Sequence, residues 1–214
     1  MKIINSRKRG PAWAGKNKSG FTLVEIIVAI GIFVLFNAVI VQIFLTAFKS
    51  TNIVFNQLDA QRQGRKVLQD FVAEMRSASY SSIGAFPVEE ASSTEVIFYS
   101  NIDNDSYIER VRYSLSGREL IKGITEPTSS PLTYNTAFEA TSTVVDILNN
   151  GTSSLFYYYD GDFAVTSTPP LSYPIDLAKV RVVSMNLRID KSPSSSPVVL
   201  LLQAAVELRN LKDK

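Results

Sequence analysis

The sequence contains no cysteine and no histidine. The missing cysteines exclude disulfide bonds, and the two absences together exclude thiolate and imidazole metal sites and catalysis by either side chain. Export across a membrane stays compatible with this composition, but an exported domain would depend on its own hydrophobic core. A length of 214 residues suits one folded domain with an anchor, and the composition, 45% hydrophobic and 20% charged, argues against wholesale disorder.

Acidic residues are missing from the first 20 positions, which hold six basic side chains. The rest of the chain carries 16 basic and 20 acidic side chains, so the formal net charge of +2 hides an asymmetry. Because the body of the chain is acidic, no nucleic-acid partner is expected. We interpret residues 1–20 as a basic leader that stays in the cytoplasm, since positive residues beside an apolar segment are retained on that side.

Charged residues are also missing from Ile26 to Phe48, a run of 23 residues. As a helix this run is roughly 35 Å long, enough to cross a hydrocarbon core of ~30 Å. Together with the basic flank it predicts a single-pass span with a cytoplasmic N-terminus and an exported C-terminus. A cleaved signal peptide, with its site near Leu45-Thr46-Ala47, and an uncleaved signal anchor are the two alternatives.

Neither alternative explains Glu25, or the small residues Ser19 and Gly20 in front of the apolar run. Placing a carboxylate beside hydrocarbon costs free energy, so we take such a residue as a candidate for a functional role. The simpler interpretation is that Glu25 lies near the lipid headgroups and its side chain reaches water.

The stretch Lys18-Ser-Gly-Phe-Thr-Leu-Val-Glu25 resembles the cleavage and methylation signature of type IV prepilins and type II secretion pseudopilins. In this family a membrane aspartyl peptidase cuts after the glycine and methylates the new N-terminus. The resemblance implies cleavage between Gly20 and Phe21, N-methylation of Phe21 and an assembly role for Glu25. Pairing between Glu25 and the Phe21 amine of a neighbouring subunit would relieve the desolvation of both charges and fix the register of packed helices.

The resemblance also implies a location and partners. It predicts a protein of the bacterial cytoplasmic membrane that later enters a cell-surface or periplasmic fibre. The implied partners are other pilin or pseudopilin subunits, prepilin peptidase, an assembly-platform membrane protein and the lipid bilayer.

Three features concern the subtype. Gln42 stands where many major pilins have proline, a C-terminal disulfide loop is impossible without cysteine, and Glu25 is usually lacking in the K-type minor pseudopilin. The chain therefore most resembles a J-type minor pseudopilin or a W-type minor pilin, a subunit at or near the fibre tip. The alternative function is that of an uncleaved, signal-anchored surface protein whose β-rich domain binds a ligand or partner.

Apolar residues continue at three- and four-residue steps after Phe48, and no proline interrupts residues 21–86. We predict one helix from about Phe21 to about Ser79, with a membrane-spanning half over 21–48 and an amphipathic half over 49–79. Packing on a sheet is expected for Val54, Phe55, Leu58, Val67, Leu68, Phe71, Val72, Met75 and Ala78.

From residue 80 onward, short β-type runs separated by turn residues predict an exported antiparallel head over 80–214. Strands are predicted over 95–99, 107–115, 119–122, 155–159, 180–189 and 198–208, while 144–148 fits a strand or a helical turn. Asp160-Gly161 is a hairpin signal. The fold class is α+β and pilin-like, a long N-terminal helix packed on an antiparallel β-sheet.

Oxygen-bearing side chains alternate in Asn101-Ile-Asp103-Asn-Asp105-Ser-Tyr-Ile-Glu109, as at the start of a calcium loop. The EF-hand pattern requires Gly at its sixth and Glu at its twelfth position, where this chain has Ser106 and Arg112. A hairpin tip rich in turn-forming residues is the competing interpretation. Asn101, Asp103, Asp105 and Glu109 are therefore candidate calcium ligands, and no other cofactor is expected.

Catalysis is not expected. Besides the missing histidine and cysteine, no nucleophile motif such as Gly-x-Ser-x-Gly occurs. The run Tyr157-Tyr158-Tyr159 would suit a binding strip, but strand alternation places at most two of these rings on one face. Packing of part of this run in the core is the other interpretation.

Overall fold

The computed structural model describes residues 20–128, 130–163, 168–191 and 199–211. The chain divides into two compact units, Met1–Ser50 and Thr51–Lys214. Most of the predicted leader, residues 1–19, lies outside the described residues, as does most of the loop that follows Lys191.

One helix, α1, runs from Leu23 to Arg76. The prediction of a single long helix is therefore confirmed, and α1 is two residues shorter than predicted at its N-terminus and three residues shorter at its C-terminus. Its continuity follows from the absence of proline, which would remove a backbone donor and clash with the preceding turn.

The buried face of α1 begins at Ala60 and continues through Val67, Leu68, Phe71 and Met75. These positions recur at helical spacing and line one side of the second unit's core. The prediction that Val54, Phe55 and Leu58 pack on a sheet is wrong, because 53%, 64% and 50% of these residues' surfaces are exposed.

Ten strands occur among the described residues. They are β1 (Val88–Ala91), β2 (Glu95–Ser100), β3 (Glu109–Ser116), β4 (Glu119–Thr125), β5 (Pro127–Thr128), β6 (Thr133–Tyr134), β7 (Ala140–Val145), β8 (Phe156–Tyr159), β9 (Val182–Ile189) and β10 (Leu200–Glu207). They form a five-stranded sheet in the order β1-β2-β3-β4-β7, a three-stranded sheet in the order β10-β9-β8 and a two-stranded ribbon, β5-β6. All the pairings are antiparallel, which confirms the α+β class.

The strands predicted over 95–99, 107–115 and 119–122 are confirmed as the antiparallel meander β2-β3-β4, and those predicted over 180–189 and 198–208 as the hairpin β9-β10. The ambiguous segment 144–148 is the end of β7 followed by an isolated bridge between Leu148 and Ile189. The hairpin prediction at Asp160-Gly161 is wrong, because β8 pairs with β9, which begins only at Val182. The Asp-Gly pair forms a turn at the start of the long connection between β8 and β9 and is not a two-residue hairpin loop.

Phe71 lies at the centre of the core and joins α1 to both larger sheets. Its ring meets Tyr113 of β3 edge-on at 5.4 Å between centroids and Phe98 of β2 edge-on at 6.4 Å. Phe156 of β8 packs on it at 6.0 Å. The three aromatic contacts explain why this one side chain is completely buried.

The close packing of α1 on β9 and β10 explains why glycine occupies position 64. A Cβ atom at this position would come into contact with the ends of the Leu202 and Ile189 side chains. The glycine, which costs a helix about 1 kcal/mol relative to alanine, therefore lets α1 approach β9 and β10 closely.

Candidate functional site

The predicted cleavage site lies immediately before α1. Gly20 and Phe21 are not helical, and 81% of the Phe21 surface is exposed. A Cβ atom on Gly20 would meet no atom within 4 Å. The packing of the described chain therefore does not require glycine here, and the peptide bond between Gly20 and Phe21 lies in the exposed, non-helical backbone that a peptidase needs.

Glu25 closes the first turn of α1 together with Thr22. The Glu25 backbone N–H donates to Thr22 Oγ1 at 3.3 Å, and the Thr22 backbone N–H donates to Glu25 Oε2 at 3.4 Å. This reciprocal pair is a capping box, and an acid at this end also suits the helix dipole. Sequence reasoning missed this role, although Thr22-Leu-Val-Glu25 matches the capping-box pattern.

Capping occupies only part of the Glu25 carboxylate. Among the described residues, no hydrogen bond reaches Oε1, and the residue is exposed. The carboxylate is thus able to cap its own helix with one oxygen and to receive a cation from outside the chain with the other.

Every side chain from Phe21 to Phe48 is exposed, although most are large and apolar. Two polar side chains in this stretch form hydrogen bonds to the backbone of the same helix. Asn37 Nδ2 donates to the Phe33 carbonyl at 2.7 Å, and Thr46 Oγ1 donates to the Gln42 carbonyl at 2.9 Å. Such internal pairing is what a nonaqueous environment requires. In the part of the chain that the structure describes, α1 alone is long and apolar enough to cross a membrane, judged by length and composition.

Residues 15–36 match the family described as the prokaryotic N-terminal methylation motif. The chain carries a prepilin-type N-terminus. The match includes Gly20, Phe21 and Glu25, and it supports the type IV pilin-like family and processing by prepilin peptidase. With the apolar helix, it indicates membrane anchoring, and it implies assembly with other pilin subunits. No curated protein matches the chain.

A second candidate site lies at the tip of the β2-β3 hairpin. The prediction of a hairpin tip between these strands is confirmed. Asp103, Asp105 and Glu109 each place one carboxylate oxygen within 4.8 Å of the others. Asn101, the fourth candidate, donates from Nδ2 to the Asp105 carbonyl at 2.8 Å, so its side chain also lies at the tip.

The tip is held in place by several hydrogen bonds. Asp103 and Asp105 each accept a backbone N–H two residues further on, at 3.1 and 2.6 Å. Outside the hairpin, Ser82 Oγ accepts from the Ile108 backbone N–H at 2.8 Å, and the Tyr134 hydroxyl donates to the Ile108 carbonyl at 2.5 Å. The tip is therefore anchored to two other segments of the second unit.

Glu126 is a further acid at this tip, and sequence reasoning missed it. It follows β4, and the β3-β4 register pairs Arg110 with Thr125, which brings the next residues along, Glu109 and Glu126, together. Burial, then the charges of Asp103 and Asp105, raise the pKa of Glu126. Burial, with the neighbouring charges of Glu126 and Asp103, likewise raises the pKa of Glu109. Only the strand register, which is not visible in a local pattern, would have revealed the proximity of Glu126.

The tyrosine run of β8 belongs partly to the core. Tyr158 is fully buried, and its hydroxyl donates to the carbonyls of Ser92 and Glu95 at 2.9 and 3.1 Å. Tyr157 and Tyr159 are half-buried on the opposite face of the strand. The interpretation of partial core packing is confirmed for Tyr158.

Proposed function

We propose that this chain is a structural, non-enzymatic subunit, a minor pilin or pseudopilin of a type IV pilus or a type II secretion pseudopilus. Prepilin peptidase removes residues 1–20 and methylates Phe21, and α1 then holds the subunit in the cytoplasmic membrane until it enters the fibre. One observation carries this proposal: a prepilin-type N-terminus leads directly into a 54-residue helix whose apolar first part is exposed on all sides.

The exposed apolar surface supports assembly through α1. Burial of each large apolar side chain is worth about 1.5–3 kcal/mol, so this surface is stable only in lipid or against other apolar surfaces. Because it surrounds the helix, a subunit that leaves the bilayer needs several neighbours rather than one. Packing among the helices of other subunits satisfies this requirement.

Glu25 supports a specific register in that packing. Its Oε2 and backbone N–H are engaged with Thr22, whereas Oε1 is available. Cleavage before Phe21 creates a cationic amine at the same end of the helix. We infer that this amine on a neighbouring subunit pairs with Glu25, since two charges in an apolar setting are each costly alone and stabilise one another when paired.

The subtype proposal rests on the helix and on composition. The helix α1 passes through Gln42 without a break, in keeping with the absence of the proline that many major pilins have there. The head has no cysteine for a disulfide loop. Both features, with Glu25, favour a J-type minor pseudopilin or a W-type minor pilin at or near the fibre tip, delivered by an assembly-platform membrane protein with its β-rich head exported.

Intact-mass analysis tests the processing step. The full chain is expressed in cells with a working prepilin peptidase and purified from their membranes, and we expect a polypeptide that begins with methylated Phe21. The matched variant is Gly20→Val: its side chain finds free space in the chain, so we expect a folded but uncut protein. An intact Met1 in the wild type, or a cut near Ala47, would favour the signal-anchored binding protein or a secreted domain instead.

A further inference from the structure

We propose that the tip of the β2-β3 hairpin is a calcium-binding site. The ligands are the carboxylates of Asp103, Asp105 and Glu109 and the amide oxygen of Asn101, and Glu126 adds negative charge beside them. This proposal goes beyond the role in a fibre and holds whether or not the leader is removed.

The first support is the spacing of the oxygens. Calcium binds oxygen ligands at 2.3–2.6 Å, so two ligands of one ion lie no more than about 5 Å apart. Asp103, Asp105 and Glu109 already satisfy this condition, since their oxygens lie within 4.8 Å of one another. No rearrangement of the hairpin is therefore needed to bring three carboxylates onto one cation.

The second support is a buried oxygen without a partner. Glu109 has no exposed surface, and its Oε2 accepts the Ile102 backbone N–H at 2.7 Å. Its Oε1 is buried and has no hydrogen-bond partner among the described residues. A buried, unsatisfied carboxylate oxygen costs several kcal/mol, and protonation would create a donor that equally lacks a partner. A cation satisfies this oxygen directly.

The side chain of Asn101 also has a buried oxygen without a hydrogen-bond partner among the described residues. Its Nδ2 is used by the Asp105 carbonyl, while its Oδ1 is buried and has no partner in the described chain. Amide oxygens and carboxylates are both usual calcium ligands. Two unsatisfied oxygens of different side chains thus occur in the same hairpin tip.

The charge at the tip also lacks compensation. None of the described lysine or arginine side chains forms an ion pair with the four acids. The nearest arginine in sequence, Arg110, is bonded to Glu89 through Nε and Nη2, at 2.8 and 2.9 Å. Three clustered carboxylates, with the charge of Glu126 nearby and no paired cationic side chain, favour a divalent cation from solution.

Calcium fits better than magnesium. Calcium accepts six to eight oxygen ligands in irregular geometry, whereas magnesium requires a near-ideal octahedron and keeps several waters. Three carboxylates and one amide oxygen at a hairpin tip form an irregular set, which bidentate carboxylates and waters can complete. Dissociation constants of extracellular calcium modules lie at about 10⁻⁴–10⁻³ M, and this is the range we expect.

Calorimetry on the detergent-solubilised full chain, freed of metal with a chelator, tests the proposal. We expect one calcium ion per chain and a rise in the unfolding temperature of the head with calcium, with at least about tenfold weaker binding of magnesium. The absence of both heat and a thermal shift at about 10 mM calcium, well above the expected dissociation constant, would overturn it.

Three variants locate the ion. Glu109→Gln is expected to weaken calcium binding about tenfold or more, because a neutral amide replaces a carboxylate ligand. Asp103→Asn changes an exposed position and is expected to weaken binding without loss of folding. Glu90→Gln, an exposed acid of β1, is the control and is expected to bind like the wild type. Calcium binding that neither Glu109→Gln nor Asp103→Asn weakens would refute the site.

Discussion

Arg112 of β3 donates two hydrogen bonds to the carboxylate of Glu139, from Nε to Oε1 at 2.8 Å and from Nη2 to Oε2 at 2.5 Å. The carboxylate lies over Gly123 of β4, where a Cβ atom would collide with it. Only 12% of the Glu139 side chain is exposed. The pair therefore joins the segment before β7 to the middle of the five-stranded sheet, in a place that glycine keeps open.

This pair predicts a loss of stability in acid. The hydrogen bond from Arg112, opposed by burial, lowers the pKa of Glu139 below its ordinary value of 4.5. A carboxyl group with a lowered folded-state pKa contributes stability above its unfolded pKa and loses it as the pH falls through the folded value. We expect Glu139→Gln to cost about 1–3 kcal/mol at pH 7, and this difference to shrink below about pH 4.5.

Urea unfolding of the full chain in detergent, followed by aromatic circular dichroism between pH 3 and about pH 8, measures this difference. The control is Glu119→Gln, an exposed acid of β4 whose carboxylate accepts one hydrogen bond from the described residues, from the Thr143 hydroxyl at 3.3 Å. Its effect should stay within about 0.5 kcal/mol. A Glu139→Gln effect that is equally large at both ends of the pH range would contradict the ion-pair explanation.

Gly64 gives a second prediction, on packing. Gly64→Leu places a side chain where Leu202 and the buried Ile189 lie, so we expect a loss of at least about 1–3 kcal/mol. Helix propensity alone would favour the substitution. The matched control is Gly31→Leu, also in α1, where a Cβ atom meets nothing within 4 Å. If the head of both variants unfolds at the wild-type temperature, the close approach of α1 to β9 and β10 does not contribute to the stability of the head.

Substitutions at Glu25 and Thr22 give a third prediction, because they separate the effect of the Glu25 charge on assembly from the effect of the cap on helix stability. Glu25→Gln keeps an acceptor for the cap and removes the charge, whereas Thr22→Ala removes the hydroxyl and keeps the charge. If the charge pairs with a neighbouring amine, Glu25→Gln should be processed but enter the fibre at least about tenfold less, while Thr22→Ala should lose about 1 kcal/mol of helix stability and still enter. Immunoblots of sheared fibres and membranes provide the measurement. The reverse order of effects would assign Glu25 to capping alone.

The helix could be predicted because α1 buries side chains at helical spacing, and the central meander because its strands are short runs rich in β-branched and aromatic residues between turn residues. β1 and β7 could not. β1 contains two glutamates, and one of them, Glu89, is held by Arg110 of β3 and by the Tyr99 hydroxyl at 2.6 Å rather than by burial. β7 is an edge strand whose first four residues are exposed, so backbone pairing with β4 defines it.

The same distinction applies to the candidate sites. Gly20, Phe21 and Glu25 lie in one continuous stretch that resembles a known signature, and three of the acids at the hairpin tip are close in sequence, so both groups are visible in the sequence. Glu126 joins them only through the register of two strands. Likewise, the exposure of Val54, Phe55 and Leu58 depends on where the head ends, which helical periodicity does not encode.

The exposed apolar surface of α1 restricts how this protein can move. Wetting the large side chains between Phe21 and Phe48 would cost on the order of tens of kcal/mol, more than the whole folding stability of an ordinary domain. No free, water-dissolved intermediate can therefore carry the chain from lipid to a final assembly. Each step of the transfer must form a new apolar contact before the previous one is lost. Any machine that extracts the chain must therefore work at the edge of the bilayer.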